Sequence, residues 1–216
     1  MTELRRPAPV EKPVALTVAG SDSGGGAGVQ ADLKTMAAFD VFGTSAVTSV
    51  TAQNTRGVES IHPVPVEEIE AQIDAVRSDF DVRAVKTGML GTAPVVDAVA
   101  TRAAAMDVPV VVDPVMVAAS GDRLLEPEAE DAYERLVAEA TVVTPNADEA
   151  GILADVTIED EAEMVEAGEA LVAMGADAAL VKGGHVSDDA TVGDVLVTDE
   201  RTHRFRHPRV ASDATH

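Results

Sequence analysis

The 216-residue chain contains no cysteine, which excludes disulfides and thiolate metal sites. Lysine is scarce: Lys12, Lys34, Lys86 and Lys182 are its four copies. No run of roughly 18 or more apolar residues occurs, so no membrane span is expected. The first ten residues hold Arg5, Arg6, Pro7 and Pro9 but no apolar h-region, so nothing there reads as a signal peptide. Internal repeats, low-complexity linkers and a Walker A phosphate loop are also missing. The chain is therefore expected to be soluble and cytoplasmic. Its 46% hydrophobic content is enough for one α/β domain with a full core.

Basic residues number 16 against 38 acidic ones, a formal net charge of −22. Such a chain should repel nucleic acid and anionic membranes. The acids are scattered: Glu67, Glu68, Glu70 and Asp74, then Glu126, Glu128, Glu130 and Asp131, then residues 159–163. Scattered acids with few lysines fit a haloadapted surface better than an acidic docking face. Salt would screen the self-repulsion, so stability should fall in dilute buffer.

Strand-like runs alternate with helical stretches, which predicts α/β with a largely parallel sheet. Strands are expected at 14–19, 44–51, 82–86, 108–113, 141–144 and 178–182, with a late hairpin at 194–198 and 202–206. Helices are expected at 28–39, 66–79, 92–106, 127–140, 147–153 and 160–174. Polar residues fall just past several strand ends, among them Ser21, Asp22, Gln53, Asn54, Thr87, Asp113, Asn146, Glu149, Lys182 and His185. Open α/β sheets bind ligands at the carboxyl ends of their strands, so these should converge on one rim.

Each motif has two readings. Gly20-Ser-Asp-Ser-Gly-Gly-Gly-Ala-Gly28 packs five glycines into nine residues and reads as a ligand loop presenting N–H groups, or as a plain strand-to-helix turn. Its loose dinucleotide fingerprint is poor, since the next strand ends in Gln53 rather than an acid. The amides of Gln53 and Asn54 could read a heteroaromatic ring, or simply make a turn. Lys86-Thr-Gly-Met89-Leu-Gly91 suggests an apolar pocket lid, or a core methionine. Asp113-Pro-Val115-Met is well placed for Mg²⁺, or caps a turn; Ala119-Ser120-Gly121-Asp122 follows it. Thr144-Pro-Asn146-x-x-Glu149 could face metal-bound phosphates, or form a capping box. Lys182-Gly-Gly-His185 offers a phosphate-binding lysine, while His185 alone reads as structural.

Taken in order from about Val14 to His216, these six blocks resemble the hydroxymethylpyrimidine/phosphomethylpyrimidine kinase family of thiamine biosynthesis. Pyridoxal kinase is the nearest relative; the Ala-Gly-Val-Gln-Ala-Asp32 block favours the pyrimidine enzymes. The resemblance implies a ribokinase-like three-layer α/β/α fold, with residues 1–13 an N-terminal extension and 14–216 the kinase domain. It implies that Asp32 and Gln53 contact the pyrimidine, and that Gly20, Ala27, Met89 and Val115 wall the pocket. Asp113 and Glu149 would stand on the Mg²⁺ side of ATP, and Asn146 and Lys182 would contact its phosphates. It also implies a homodimer. In the family a Thr-His pair runs into a Gly-Thr/Ser-Gly-Cys anion hole, so the catalytic residue and the C-terminal part of the fold are expected beyond His216. The other readings are a pyridoxal-type kinase, a non-catalytic pyrimidine-binding module and, third, a dinucleotide-dependent oxidoreductase.

Overall fold

The computed structural model describes residues 11–116, 129–184, 186 and 191–210. The chain runs β1 (Val14–Ala19), α1 (Gly28–Ala38), β2 (Phe42–Val47), β3 (Ser49–Asn54), β4 (Gly57–Pro63), α2 (Val66–Asp79), β5 (Val82–Thr87) and α3 (Ala93–Ala104). It continues β6 (Val110–Val112), α4 (Glu130–Ala138), β7 (Val142–Val143), α5 (Ala147–Ala154), α6 (Glu161–Ala173), β8 (Ala178–Lys182), β9 (Thr191–Thr198) and β10 (Thr202–Pro208). Among the described residues, eight strands form one sheet in the order β10-β9-β8-β7-β6-β5-β1-β2. Pairing is parallel from β2 through β8, and β9 and β10 close that edge antiparallel.

Side-chain alternation along β1 separates two faces of this sheet. Thr17 points to α1, where its hydroxyl donates to Asp32. Leu16 and Val18 point the other way and are buried in the core with Ile69 and Ile73 of α2 and Val96 and Val99 of α3. From α2 to α6 each helix packs on the next, whereas α1 packs on β1 and β2. Three layers follow, as the resemblance implies.

Local chemistry explains the elements. In α2, Val66, Ile69, Ile73 and Val76 recur at helical spacing, Glu67 and Glu68 lie in the first turn and Arg77 in the last, each favourable to the helix dipole. Ile69 and Ile73 are essentially inaccessible to solvent, a burial that contributes about 1.5–3 kcal/mol each. Helix α6 opens with a capping box between Asp160 and Glu163.

Three expected strands need correction. The run 44–51 is not one strand: β2 ends at Val47, and β3 leaves the main sheet to pair antiparallel with β4. Thr48 is the pivot, its N–H bonded to Ala19 O and its hydroxyl to Met89 O at 2.7 Å, while its carbonyl accepts from Val64 N. The run 108–113 contributes only Val110–Val112 to the sheet. Pro109 has no N–H to give to the ladder, and only its carbonyl accepts, from Val85 N. Strand β9 starts at Thr191, earlier than expected, because Thr191 to Gly193 pair with the far end of β10. The segment Ala119–Asp122, the start of the expected helix at 127, residues 1–10 and His185 lie outside the described residues, as do residues 211–216.

Candidate active site

Strands β1, β5, β6, β7 and β8 are consecutive in the sheet, and the polar residues at or just past their carboxyl ends meet along that rim. Its centre is a string of charges. Asp32 on α1 accepts from Thr17 Oγ1 at 2.6 Å and lies 3.2 Å from Lys86 Nζ at the end of β5. The same ammonium is 3.7 Å from Asp113 Oδ2, just past β6. Asp113 Oδ1 in turn lies 3.3 Å from Lys182 Nζ, the last residue of β8. Lys182 and Asn146 form an isolated parallel bridge, and Asn146 leads into Glu149. Asp32, Asp113, Asn146, Glu149 and Lys182 are thus brought together.

The other end of the rim is built around Met89. Gly20 N and the Thr48 hydroxyl both bond to Met89 O. A Cβ on Gly20 would lie 2.3 Å from Met89 Cε and 2.8 Å from Ser49 Oγ, so a larger residue here would force both side chains to shift. Strand β3 is laced to the loop that follows β1: Ser21 N bonds Ser49 O, the Thr51 hydroxyl bonds Ser21 O, and Ser23 Oγ both donates to Gln53 O and accepts from Gln53 N. Gly20, Gln53 and Met89 therefore share one neighbourhood, and Ala27 ends the same β1–α1 loop, its N–H on Asp22 Oδ2. Val115 sits on the turn after Asp113, its N–H bonded to the Asp113 carbonyl.

The glycine loop does not present its N–H groups to a ligand. The carboxylate of Asp22, buried beneath it, takes the N–H of Gly24, Gly26 and Ala27, each at 2.8 Å. The concavity that could hold an anion is filled by the protein's own carboxylate. Burial alone would raise the Asp22 pKa, but the backbone donors of Ala27, Gly24, Gly26 and Gly25 outweigh it and hold it below the ordinary value. Lys34 Nζ closes the far side of the loop on Gly25 O at 2.6 Å.

The Asn146–Glu149 pair forms the capping box that the spacing allowed. Asn146 Oδ1 accepts from Glu149 N, and Glu149 Oε2 accepts from Asn146 N, both at 2.8 Å. Glu149 is buried, and Oε1 also accepts from Met116 N. Burial pushes its pKa up and the Asp113 charge adds to this, against the pull of the Asn146 N–H and Lys182. The Tyr133 hydroxyl is buried beside the same two carboxylates, has no hydrogen-bond partner among the described residues and is raised mainly by burial. Of the two carboxylates, Asp113 is the one open enough to meet a cation directly, its side chain 23% exposed. No group of three or more metal-ligating side chains occurs among the described residues. A Mg²⁺ held by one or two carboxylates and by phosphate oxygens needs none.

These contacts explain what reading the residues missed. Lys86 looked like a strand residue and Asp22 like a turn residue. The signal for Lys86 was its rarity: three of the four lysines in the chain, Lys34, Lys86 and Lys182, gather at this rim.

The phosphomethylpyrimidine kinase family model matches residues 22–216. The chain belongs to the phosphomethylpyrimidine kinase family. The kinase is 49% identical over 209 residues to the hydroxymethylpyrimidine/phosphomethylpyrimidine kinase of Streptomyces coelicolor, covering 96% of this chain and 77% of that one. It superposes on the crystal structure of phosphomethylpyrimidine kinase from Clostridium difficile with a TM-score of 0.82 at 38% identity, covering 90% and 84% of the two chains. It also resembles the ADP complex of Bacillus subtilis pyridoxal kinase, with a TM-score of 0.85 at 33% identity over 94% of this chain and 78% of that chain. The kinase therefore has the ribokinase-like fold and is a phosphotransferase by family. Among its described residues no helix is long and apolar enough to cross a membrane.

Proposed function

We propose that this kinase transfers the terminal phosphoryl group of ATP to 4-amino-5-hydroxymethyl-2-methylpyrimidine, and then to the resulting monophosphate, in thiamine biosynthesis. The observation that carries the reading is the unbroken string Thr17–Asp32–Lys86–Asp113–Lys182 along one sheet rim. With the ring assigned to its Asp32 end and the phosphates to its Lys182 end, the two molecules would lie close enough for direct transfer.

At the first end, Asp32 and the Gln53 amide supply acceptor and donor groups for the ring nitrogens and the amino group. Gly20, Ala27, Met89 and Val115 form the apolar walls. At the second end, Lys182 and Asn146 meet the nucleotide phosphates. Asp113 would hold Mg²⁺, with Glu149 behind it as the helix cap whose charge would add to the field. When bound, Mg²⁺ neutralises charge on the transferring phosphates. In the first transfer the substrate hydroxyl oxygen forms the new bond to phosphorus as the bond to ADP breaks and its proton passes to solvent; in the second a phosphate oxygen of the monophosphate is the acceptor. Nucleotide use is supported by the ADP complex of the B. subtilis pyridoxal kinase.

The cytoplasm is the compartment this reading assigns, and small molecules rather than nucleic acid are its ligands. The working unit in the proposal is a homodimer. Val50 and Ile61 on the β3–β4 ribbon are exposed apolar side chains available to such a contact.

Calorimetry tests the assignment. The pyrimidine should bind at least about tenfold more tightly than pyridoxine, a difference of about 1.4 kcal/mol. Asp32→Ala should abolish pyrimidine binding and leave Mg-ADP affinity within about threefold. Preference for pyridoxine would move the reading to a pyridoxal-type kinase, and equal loss of both ligands would make Asp32 structural.

A further inference from the structure

Lys86 is a link in the string above but is given no ligand of its own, and among the described residues its ammonium contacts both Asp32 and Asp113. Its ammonium lies 3.2 and 3.3 Å from the two oxygens of Asp32, and 3.7 Å from Asp113 Oδ2. The side chain is 25% exposed and Asp32 is 16% exposed, so the pair is largely withdrawn from water. Lys182 already attends Asp113 at 3.3 Å. Asp32 has Lys86 as its cation and Thr17 as its hydroxyl donor.

A second observation concerns Gly88, two residues on. A Cβ at Gly88 would come within 2.9 Å of Lys86 Nζ and 3.0 Å of Ala19 Cβ. The chain thus leaves space at Gly88 in which the ammonium folds back toward α1. Gly88 itself is fixed by its N–H bond to Val18 O. The Lys-Thr-Gly sequence therefore acts as a unit: the lysine supplies the charge and the glycine supplies the room to aim it.

We infer that Lys86 is a positioning residue for the pyrimidine site, holding the Asp32 carboxylate at the orientation in which it accepts from the ring. The geometry favours Asp32 over Asp113 as its working partner, since both Asp32 oxygens are closer. Without the ammonium, Asp32 keeps only the Thr17 hydroxyl and faces Asp113 across the rim with no cation between them. A carboxylate so placed rotates or draws in water, and the ring loses a fixed acceptor.

This inference rests on the reading that Asp32 faces the pyrimidine, and calorimetry separates the two. Lys86→Met keeps the length of the side chain and removes its charge. It should weaken the pyrimidine by about tenfold or more and change Mg-ADP affinity by less than about threefold. Lys86→Arg, which keeps the charge, should recover most of the lost affinity. Gly88→Ala, which displaces the ammonium without removing it, should weaken the pyrimidine in the same direction and serves as the test if the methionine variant does not fold. Wild-type affinity for the pyrimidine in Lys86→Met, or equal loss of both ligands with no recovery in Lys86→Arg, would overturn the inference while leaving the functional reading intact. A wild-type protein that does not bind the pyrimidine would overturn both.

Discussion

Lys182 Nζ lies 3.3 Å from Asp113 Oδ1, joining the ends of β8 and β6 across 69 positions of sequence. The contact passes over β7, which lies between the two strands in the sheet. It is half-open to solvent on the lysine side, so the pair itself adds little to stability. On the proposed assignment, the pair keeps an ammonium beside the carboxylate until phosphates arrive. Lys182→Met should therefore weaken Mg-ADP by about 10- to 100-fold, in keeping with the loss of a charge-assisted phosphate contact, while the melting temperature moves little. Unchanged nucleotide affinity by calorimetry would remove Lys182 from the phosphate site.

Asp22 makes the opposite prediction, a large effect on stability. Three backbone N–H groups converge on its carboxylate, so Asp22→Ala should cost about 1–3 kcal/mol and lower the melting temperature. The pH dependence has a definite sign. The folded-state pKa lies below the ordinary value of 3.8, so the contribution is fully present above that value. It is lost as pH falls through the lowered folded value. Urea melts from pH 7 down to pH 3 should show the gap between wild type and variant constant at first and closing only at the acid end. A gap that widens on acidification would contradict this.

Glu149 caps α5 and stands beside Asp113, so its replacement should separate the two roles. Glu149→Gln keeps an oxygen to accept from Asn146 N and removes the charge. The Mg²⁺ concentration needed for half-maximal ADP binding should rise by about tenfold, with the pyrimidine affected by less than about threefold. A variant that melts earlier yet needs no more Mg²⁺ would leave only the cap.

The acidic surface predicts a response to salt. With 38 acidic against 16 basic residues, self-repulsion opposes the compact state and is relieved by screening. The melting temperature should rise between dilute buffer and about 2 M KCl. A melt unchanged over that range would argue against haloadaptation.

Much of this was legible in the residues, and the exceptions have physical causes. Strand β1, helix α2 and strand β8 fall at 14–19, 66–79 and 178–182, as their apolar spacing predicts. The break at Thr48 was hidden, because a β-branched run reads the same whether it stays in one sheet or turns at a threonine whose partners, Ala19 and Met89, are distant in sequence. Strand β4 gave no signal because most of its side chains are exposed and its partner is a two-stranded ribbon rather than the core. At the rim, Asp113 and Lys182 stand out in the sequence because each closes or follows a strand, whereas Asp32, inside a helix, is singled out only by the family resemblance. Lys86 does not stand out, because a cation within a strand shows its purpose only when the neighbouring strand and helix supply its carboxylates. Nor does a glycine-rich run reveal whether its N–H groups face outward or onto a carboxylate such as Asp22.

That the two ends of the rim work as neighbouring subsites is tested most directly by titrating 4-amino-5-hydroxymethyl-2-methylpyrimidine into the protein with and without saturating Mg-ADP. One-to-one binding of the pyrimidine is expected in both titrations, because Asp32 and Lys182 lie at opposite ends of the string. Abolition of pyrimidine binding by Mg-ADP through simple competition would place both ligands in a single subsite and contradict the assignment.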